Sequence, residues 1–341
     1  MNNDICVDYS LIDAYHGYLT DEKLLLKSSS GGITRALSNA IVKLGGVVFG
    51  VRYSEDFYHA QYCCVDCVDD IDKIIGSKYI YSDKNVLCDG NSVSVYQAVE
   101  NELKMGKTVL FFGLGCDVAA VKKYVENKGT DLTKLFLVDL ICQGPTYPEV
   151  QESYLKRLES KYSSRVKDFS VRYKLNGWAA PPFIKITFEN GKQYYESFYG
   201  SDFGFAFSNY SRGGCYQCKF RGVNHQSDIT IGDYWGIEKQ EDGYNKNGVS
   251  LMLVSTDKGR TLLDLVDKNE FIIKRSDASN AIKNNPMYYS CREQYENVER
   301  FKDNFSKKGL HRAVIEEIGV IKYYCIRLRR NITKKIWKMM K

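Results

Sequence analysis

Two cysteines in "GGCYQCKF", residues 213–220, carry the most specific chemistry in this chain. Cys215 and Cys218 form a C-x-x-C, a spacing found in half of a zinc site, half of an iron–sulfur site or a redox dithiol. Gly213 and Gly214 ahead of the pair permit close approach of the backbone to a bound group. Two thiolates seldom make a metal site alone, so the other cysteines of the eleven decide the reading. Cys63, Cys64 and Cys67 crowd together in "CCVDC". On a strand, Cys63 and Cys64 point to opposite faces and cannot easily grip one metal, so this group reads as packing or surface thiols. Cys6, Cys88, Cys291 and Cys325 are isolated. Cys116 and Cys142 remain.

The elements around those two explain why they matter. Cys116 follows the apolar strand "VLFFG", and Cys142 follows the apolar strand "LFLVDLI". The helix "VAAVKKYVENKG" lies between them. Apolar strands alternating with helices predict an α/β fold with a central, mostly parallel sheet and flanking helices. Neighbouring parallel strands finish on one edge, and ligands bind at that carboxyl edge. Cys116 and Cys142 can therefore lie side by side, with the C-x-x-C folded over them. Four thiolates then match either a [4Fe–4S] cluster or a structural zinc. Residues 167–199, with a turn at Asn190-Gly191, predict an antiparallel meander. The predicted layout is a short segment 1–26, a main domain 27–290, and a charged helical segment 291–341.

Bulk properties narrow the partners. Of 341 residues, 44% are hydrophobic and 26% charged, as in folded globular proteins. No apolar run reaches the length of a membrane span, and "MNNDICVDYS" has no secretory pattern. The expected location is the cytoplasm, where eleven cysteines do not form a disulfide framework. The net charge of +6 is concentrated at one end. Residues 321–341 hold eight Lys or Arg and no acid, leaving 40 basic residues against 42 acidic ones elsewhere. Those last residues also place Ile321, Tyr324, Leu328, Ile332 and Ile336 on one helical face. That pattern fits an anionic membrane surface, with the protein peripheral on the inner face of the cell membrane. The body has no basic, aromatic-interleaved patch for nucleic acid.

Six stretches occur in order: "KSSSGGITRAL", "GSKYIYSD", "VLFFGLGCD", "VDLICQG", "GCYQCKF" and "SDITIGDYWGIEK". Over roughly residues 27–260 the chain resembles the beta-subunit family of coenzyme F-420 hydrogenases and dehydrogenases. The resemblance implies an iron–sulfur flavoprotein that passes electrons between a [4Fe–4S] cluster and FAD. Its cluster ligands fall on Cys116, Cys142, Cys215 and Cys218. Its flavin motifs fall on Ser28, Ser29, Ser30, Gly31 and Gly32; on Gly76, Ser77, Lys78 and Tyr79; and on Asp228, Thr230, Gly232 and Trp235. The serine–glycine loop opens directly into a helix, whose N-terminus and backbone N–H groups suit a pyrophosphate. Asp233 and Tyr234 are the candidate proton donors.

The departures from the family pattern are equally specific. Many relatives carry Thr-Pro before the first cluster cysteine and Gln after it, where this chain has Leu114, Gly115 and Asp117. After Cys142 many have His where this chain has Gln143. An acid at 117 beside a cluster is expected to lower its potential. Many relatives begin with a two-cluster ferredoxin module, whereas the first 26 residues here hold only Cys6. Electrons are then expected from a separate ferredoxin, flavodoxin or reductase. The expected substrate is a small molecule, with a lipid-linked sugar intermediate of polysaccharide assembly favoured by analogy. The alternatives are a non-catalytic electron-transfer subunit and a zinc-stabilised accessory protein at the membrane surface.

Overall fold

The computed structural model describes residues 12–88 and 91–325. Its fourteen strands are β1 (Asp13–Leu19), β2 (Val47–Tyr53), β3 (Ala60–Val65), β4 (Ser82–Asp83), β5 (Asn85–Cys88), β6 (Asn91–Ser94), β7 (Val109–Leu114), β8 (Leu135–Leu140), β9 (Val166–Tyr173), β10 (Phe183–Phe188), β11 (Gln193–Ser197), β12 (Ile229–Asp233), β13 (Ser250–Val254) and β14 (Phe271–Ser276). Nine of them form one sheet in the order β14-β1-β13-β12-β8-β7-β2-β3-β4. The run β12-β8-β7-β2 is parallel throughout. Antiparallel strands extend it on both sides.

The alternation along each parallel strand builds two cores. Val48, Leu110, Phe112, Phe136 and Val138 face a cluster containing Leu37 and Ile41 of the helix Ile33–Lys43. Val47, Phe49, Val109, Phe111, Leu135 and Leu137 face the helices Val95–Lys104 and Gly115–Asn127. Burial on both faces is what a continuous apolar strand demands, and the predicted α/β fold with a parallel centre is observed. Cys63 packs on the first of these cores and Cys64 on the second. Cys63 and Cys64 of "CCVDC" are split by the sheet, as their neighbouring positions on a strand require, and Cys67 is exposed past the end of β3.

The predicted meander is the three-stranded sheet β11-β10-β9. It packs with the helices Pro148–Tyr162 and Leu310–Ile318 in an aromatic-rich core of its own, around Tyr154, Phe188, Phe198 and Phe203. Residues 13–19, assigned from sequence to a leading segment, instead form β1 inside the main sheet between β14 and β13. Both partners of β1 are more than 200 residues away, and local periodicity carries no information about such pairings. Residues 326–341, most of the basic tail, lie outside the described residues, as does Cys6. Among the described residues no helix is long and apolar enough to cross a membrane.

Candidate functional site

Strands β7, β8 and β12 are parallel neighbours, so Leu114, Leu140 and Asp233 end on one edge. A cavity of about 440 Å³ opens there. All three motif groups expected to hold a flavin contribute to its wall. Ser28, Ser29, Ser30 and Gly32 line it, as do Gly76, Ser77, Lys78 and Tyr79, and then Gly232, Asp233 and Trp235. Cys142 lines it as well.

The serine–glycine loop is held from several directions. Gly32 has φ 91° and precedes the helix Ile33–Lys43, a left-handed conformation that glycine adopts without steric cost. A Cβ on Gly31 would lie 2.1 Å from the Gly17 carbonyl oxygen and 2.4 Å from the Ser250 nitrogen. Gly31 thus serves the packing of the loop rather than the cavity wall. Ser30 donates to the Val249 carbonyl at 2.7 Å, and Ser77 donates to Ser29 at 2.9 Å, joining the first two motifs. Lys174 donates to the carbonyls of Leu25 (2.9 Å), Ser30 (2.7 Å) and Asn247. Lys78 donates to the carbonyls of Ile75 (2.8 Å) and Gly76 (3.1 Å). Desolvation pushes the ammonium groups of Lys78 and Lys174 down to about 7.

The third motif divides. Asp233 accepts two bonds from Arg172, at 2.5 and 3.2 Å, and one from the Trp178 indole at 2.8 Å. Its oxygens are thus occupied as acceptors, and it orients Arg172 rather than presenting a proton. Trp235 stacks on Trp178 with ring centroids 5.1 Å apart and planes 3° apart. Tyr234 turns the other way, as the next residue after a strand does. It is buried against the His16 ring, 5.1 Å away, and does not line the cavity. Asp228 and Thr230 are buried as well, outside the cavity wall. Asp228 accepts from the Leu137 amide at 2.8 Å and from Thr256 at 2.7 Å. At about 3.3 Å per strand residue, Asp228 lies near the far end of β12 from the site.

The four singled-out cysteines collect beside the cavity. Cys116 falls in the first turn of the helix Gly115–Asn127, just past the end of β7. A helix N-terminus favours negative charge on a thiolate or cluster. Cys142 accepts from the Gly144 amide at 3.2 Å. Gly144, with φ 95°, approaches the C-x-x-C so closely that a Cβ there would meet the Cys215 Cβ at 2.9 Å. Arg292 clamps this turn through the carbonyls of Gln143 (2.8 Å) and Gly144 (2.5 Å). Burial pushes the Cys116 thiol up to about 12, with Asp117 and the thiols of Cys142 and Cys218 adding to it. Burial likewise pushes Cys142 up to about 11, aided by Cys215 and Cys218 and opposed by Gly144 and Arg221. Cys218 thus lies near enough to act on both Cys116 and Cys142, and Cys215 on Cys142.

Among the described residues, no three His, Cys, Asp or Glu side chains converge tightly enough to hold a single metal ion. Asp117 is tied up by Lys84 at 2.8 Å and by the Tyr62 hydroxyl at 3.1 Å. Its charge is compensated, which weakens the effect expected of an acid next to a cluster. Arg172, Lys174 and Trp178 belong to none of the sequence motifs. A faint signal existed in "VRYK", where two cations alternate on one face of a predicted strand.

No curated protein matches the chain. A solved structure, "Xenon derivatization of the F420-reducing [NiFe] hydrogenase complex from Methanosarcina barkeri", contains a chain of similar fold. The TM-score is 0.51 at 18% identity, covering 86% of this chain and 92% of that one. Residues 106–279 match the family model for the C terminus of the coenzyme F420 hydrogenase/dehydrogenase beta subunit. That stretch takes in Cys116, Cys142, the C-x-x-C and the β12 motif, and the chain belongs to the coenzyme F420 hydrogenase/dehydrogenase beta-subunit family, a family of redox proteins.

Proposed function

We propose that this chain is an iron–sulfur flavoprotein oxidoreductase. The observation that carries the reading is that three separate motifs line one cavity of about 440 Å³, with four cysteines gathered beside it. Cys116, Cys142, Cys215 and Cys218 would hold a [4Fe–4S] cluster. Four thiolates supply one ligand to each iron of a cubane, and Cys142 and Cys218 act on Cys116 while Cys215 and Cys218 act on Cys142, as members of one ligand set would. Arg221 and Arg292 lie near these thiols and offset the charge of such a group. Ser28, Ser29, Ser30, Gly32, Gly76, Ser77, Lys78, Tyr79, Gly232 and Trp235 would hold FAD.

When bound, the flavin supplies electron-pair chemistry and the cluster single-electron relay. The protein's own part is positioning. The serine–glycine loop and the helix behind it present backbone donors to phosphate. Arg172, fixed by Asp233, presents a cation at the cavity wall, and Trp235 and Tyr199 present aromatic faces there. Those faces support a small sugar intermediate as the substrate class, with electrons delivered by a separate ferredoxin, flavodoxin or reductase. A second reading, an electron-transfer subunit without its own substrate, is favoured by the exposed loop Gly213–Gly214 immediately ahead of the half-buried Cys215 and Cys218. Anaerobic purification with metal, sulfide and flavin analysis tests the main reading. About four iron atoms and one FAD per chain are expected; zinc in place of iron, or a colourless protein, would sink it.

Lys78 gives this site a pH signature. With its ammonium lowered to about 7 by desolvation, Lys78 is charged below that value and neutral above it. FAD affinity, read by fluorescence titration, is expected to fall as pH rises from 6 to 9. Lys78→Met should bind about tenfold more weakly at pH 6 and show a flat profile. Folding runs in the opposite sense. The unfolded chain keeps this proton up to about 10.4, so stability contributed at Lys78 rises with pH between about 7 and 10.4.

A further inference from the structure

We propose that Tyr81 sets the reduction potential of the cluster site by donating a hydrogen bond to the Cys215 sulfur. This rests on the assignment of Cys215 as a cluster ligand. Tyr81 lies within "GSKYIYSD", yet none of the roles given to that motif uses it. Its hydroxyl is 3.0 Å from the Cys215 Sγ. The direction of the bond follows from its other partner. The Arg212 amide donates to the same hydroxyl oxygen at 3.3 Å, and a phenol has only one proton to give. That proton is left for the sulfur, which as a ligating thiolate can only accept.

The donor is held in place. The Tyr81 amide donates to the Thr146 carbonyl at 3.0 Å, and the Thr146 amide donates to the Tyr79 carbonyl at 2.9 Å. Tyr81 is therefore tied to the segment that follows Cys142. Its ring lies under the Arg212 guanidinium, 3.7 Å from the centroid. A hydrogen bond drawing charge from a ligating sulfur stabilises the more negative, reduced state and raises the potential. Gly144 makes a comparable bond to Cys142 through its backbone. Tyr81 makes its bond through a side chain, so substitution can remove it while the ring remains.

The test is Tyr81→Phe in the full chain, purified anaerobically and titrated with dithionite through redox mediators while the cluster is followed by electron paramagnetic resonance. The expected result is wild-type iron and sulfide content with the one-electron equilibrium shifted about tenfold toward the oxidised cluster, about 59 mV. Tyr147→Phe, a phenol whose ring is 5.7 Å from that of Tyr81, is expected to keep the wild-type potential. An unchanged potential in iron-replete Tyr81→Phe overturns the inference. So does an equal shift in Tyr147→Phe, or loss of iron from Tyr81→Phe, which would mark a structural role. Wild-type protein without iron is a different outcome: it removes the cluster assignment itself, and this inference with it.

Discussion

Cys218→Ala protein, purified anaerobically, is expected to lose its cluster iron, while Cys64→Ala keeps the wild-type content. The two substitutions delete the same atom, so the difference tests the sorting of the cysteines and not cysteine chemistry in general. Cys218 sits in the C-x-x-C loop, whose Cys215 packs against Gly144 two residues after Cys142, and its thiol acts on both Cys116 and Cys142. A cubane that loses one of four thiolates exposes an iron to solvent and becomes labile. Cys64 lies in β3, opposite Phe49, and packs against the core that contains Val47 and Val86. Truncating it trims a partly buried side chain of that core at a cost of about 1 kcal/mol. Cys63, one residue earlier, faces the other side of the sheet. Iron and acid-labile sulfide analysis, with the visible spectrum, decides the matter. Equal loss from Cys64→Ala would overturn the assignment.

Lys174→Met is expected to lower stability by about 3 kcal/mol and to strip the flavin on purification. Lys174 bonds to three carbonyls, those of Leu25, Ser30 and Asn247. These come from the segment before the serine–glycine loop, from the loop itself, and from the turn before β13. Leaving a buried carbonyl without its donor costs about 1–3 kcal/mol, discounted here because Lys174 is only half-buried. Methionine keeps the length and apolar stem but has no donor. The loop would then lose the tie that holds Ser30 against Gly248, where a Cβ would lie only 2.4 Å from the Ser30 oxygen. Thermal unfolding and flavin release by denaturation are the two readouts. Wild-type values in both would show that the glycines and Ser77 suffice to hold the loop.

How much of this was legible beforehand depended on the range of the interactions. The helix over Ile33–Lys43, the strands ending before Cys116 and Cys142, and the meander with its Asn190-Gly191 turn are local patterns, and the structure contains each of them. The separation of Cys63 from Cys64 followed from strand geometry alone. A motif spells Asp228, Thr230 and Tyr234 in a row, whereas the strand sends them to different faces and depths, and none of the three lines the cavity. Asp233 reached the cavity wall, but only its contacts with Arg172 and Trp178 revealed that it is occupied as an acceptor.

The alternation of apolar strands and helices and the glycine-rich turns were readable in the sequence alone, which also singled out Cys116, Cys142, Cys215 and Cys218 as candidate ligands ahead of the denser "CCVDC". These are matters of periodicity and spacing, which act over a few residues. Which side chains meet was settled by long-range packing. It inserted β1 between two strands from the far end of the chain, bound Lys174 to a loop more than 140 residues earlier, and laid Tyr81 against Cys215 across 134 positions. Such contacts arise when parallel strands share an edge and loops close over it, and no window of sequence contains both partners.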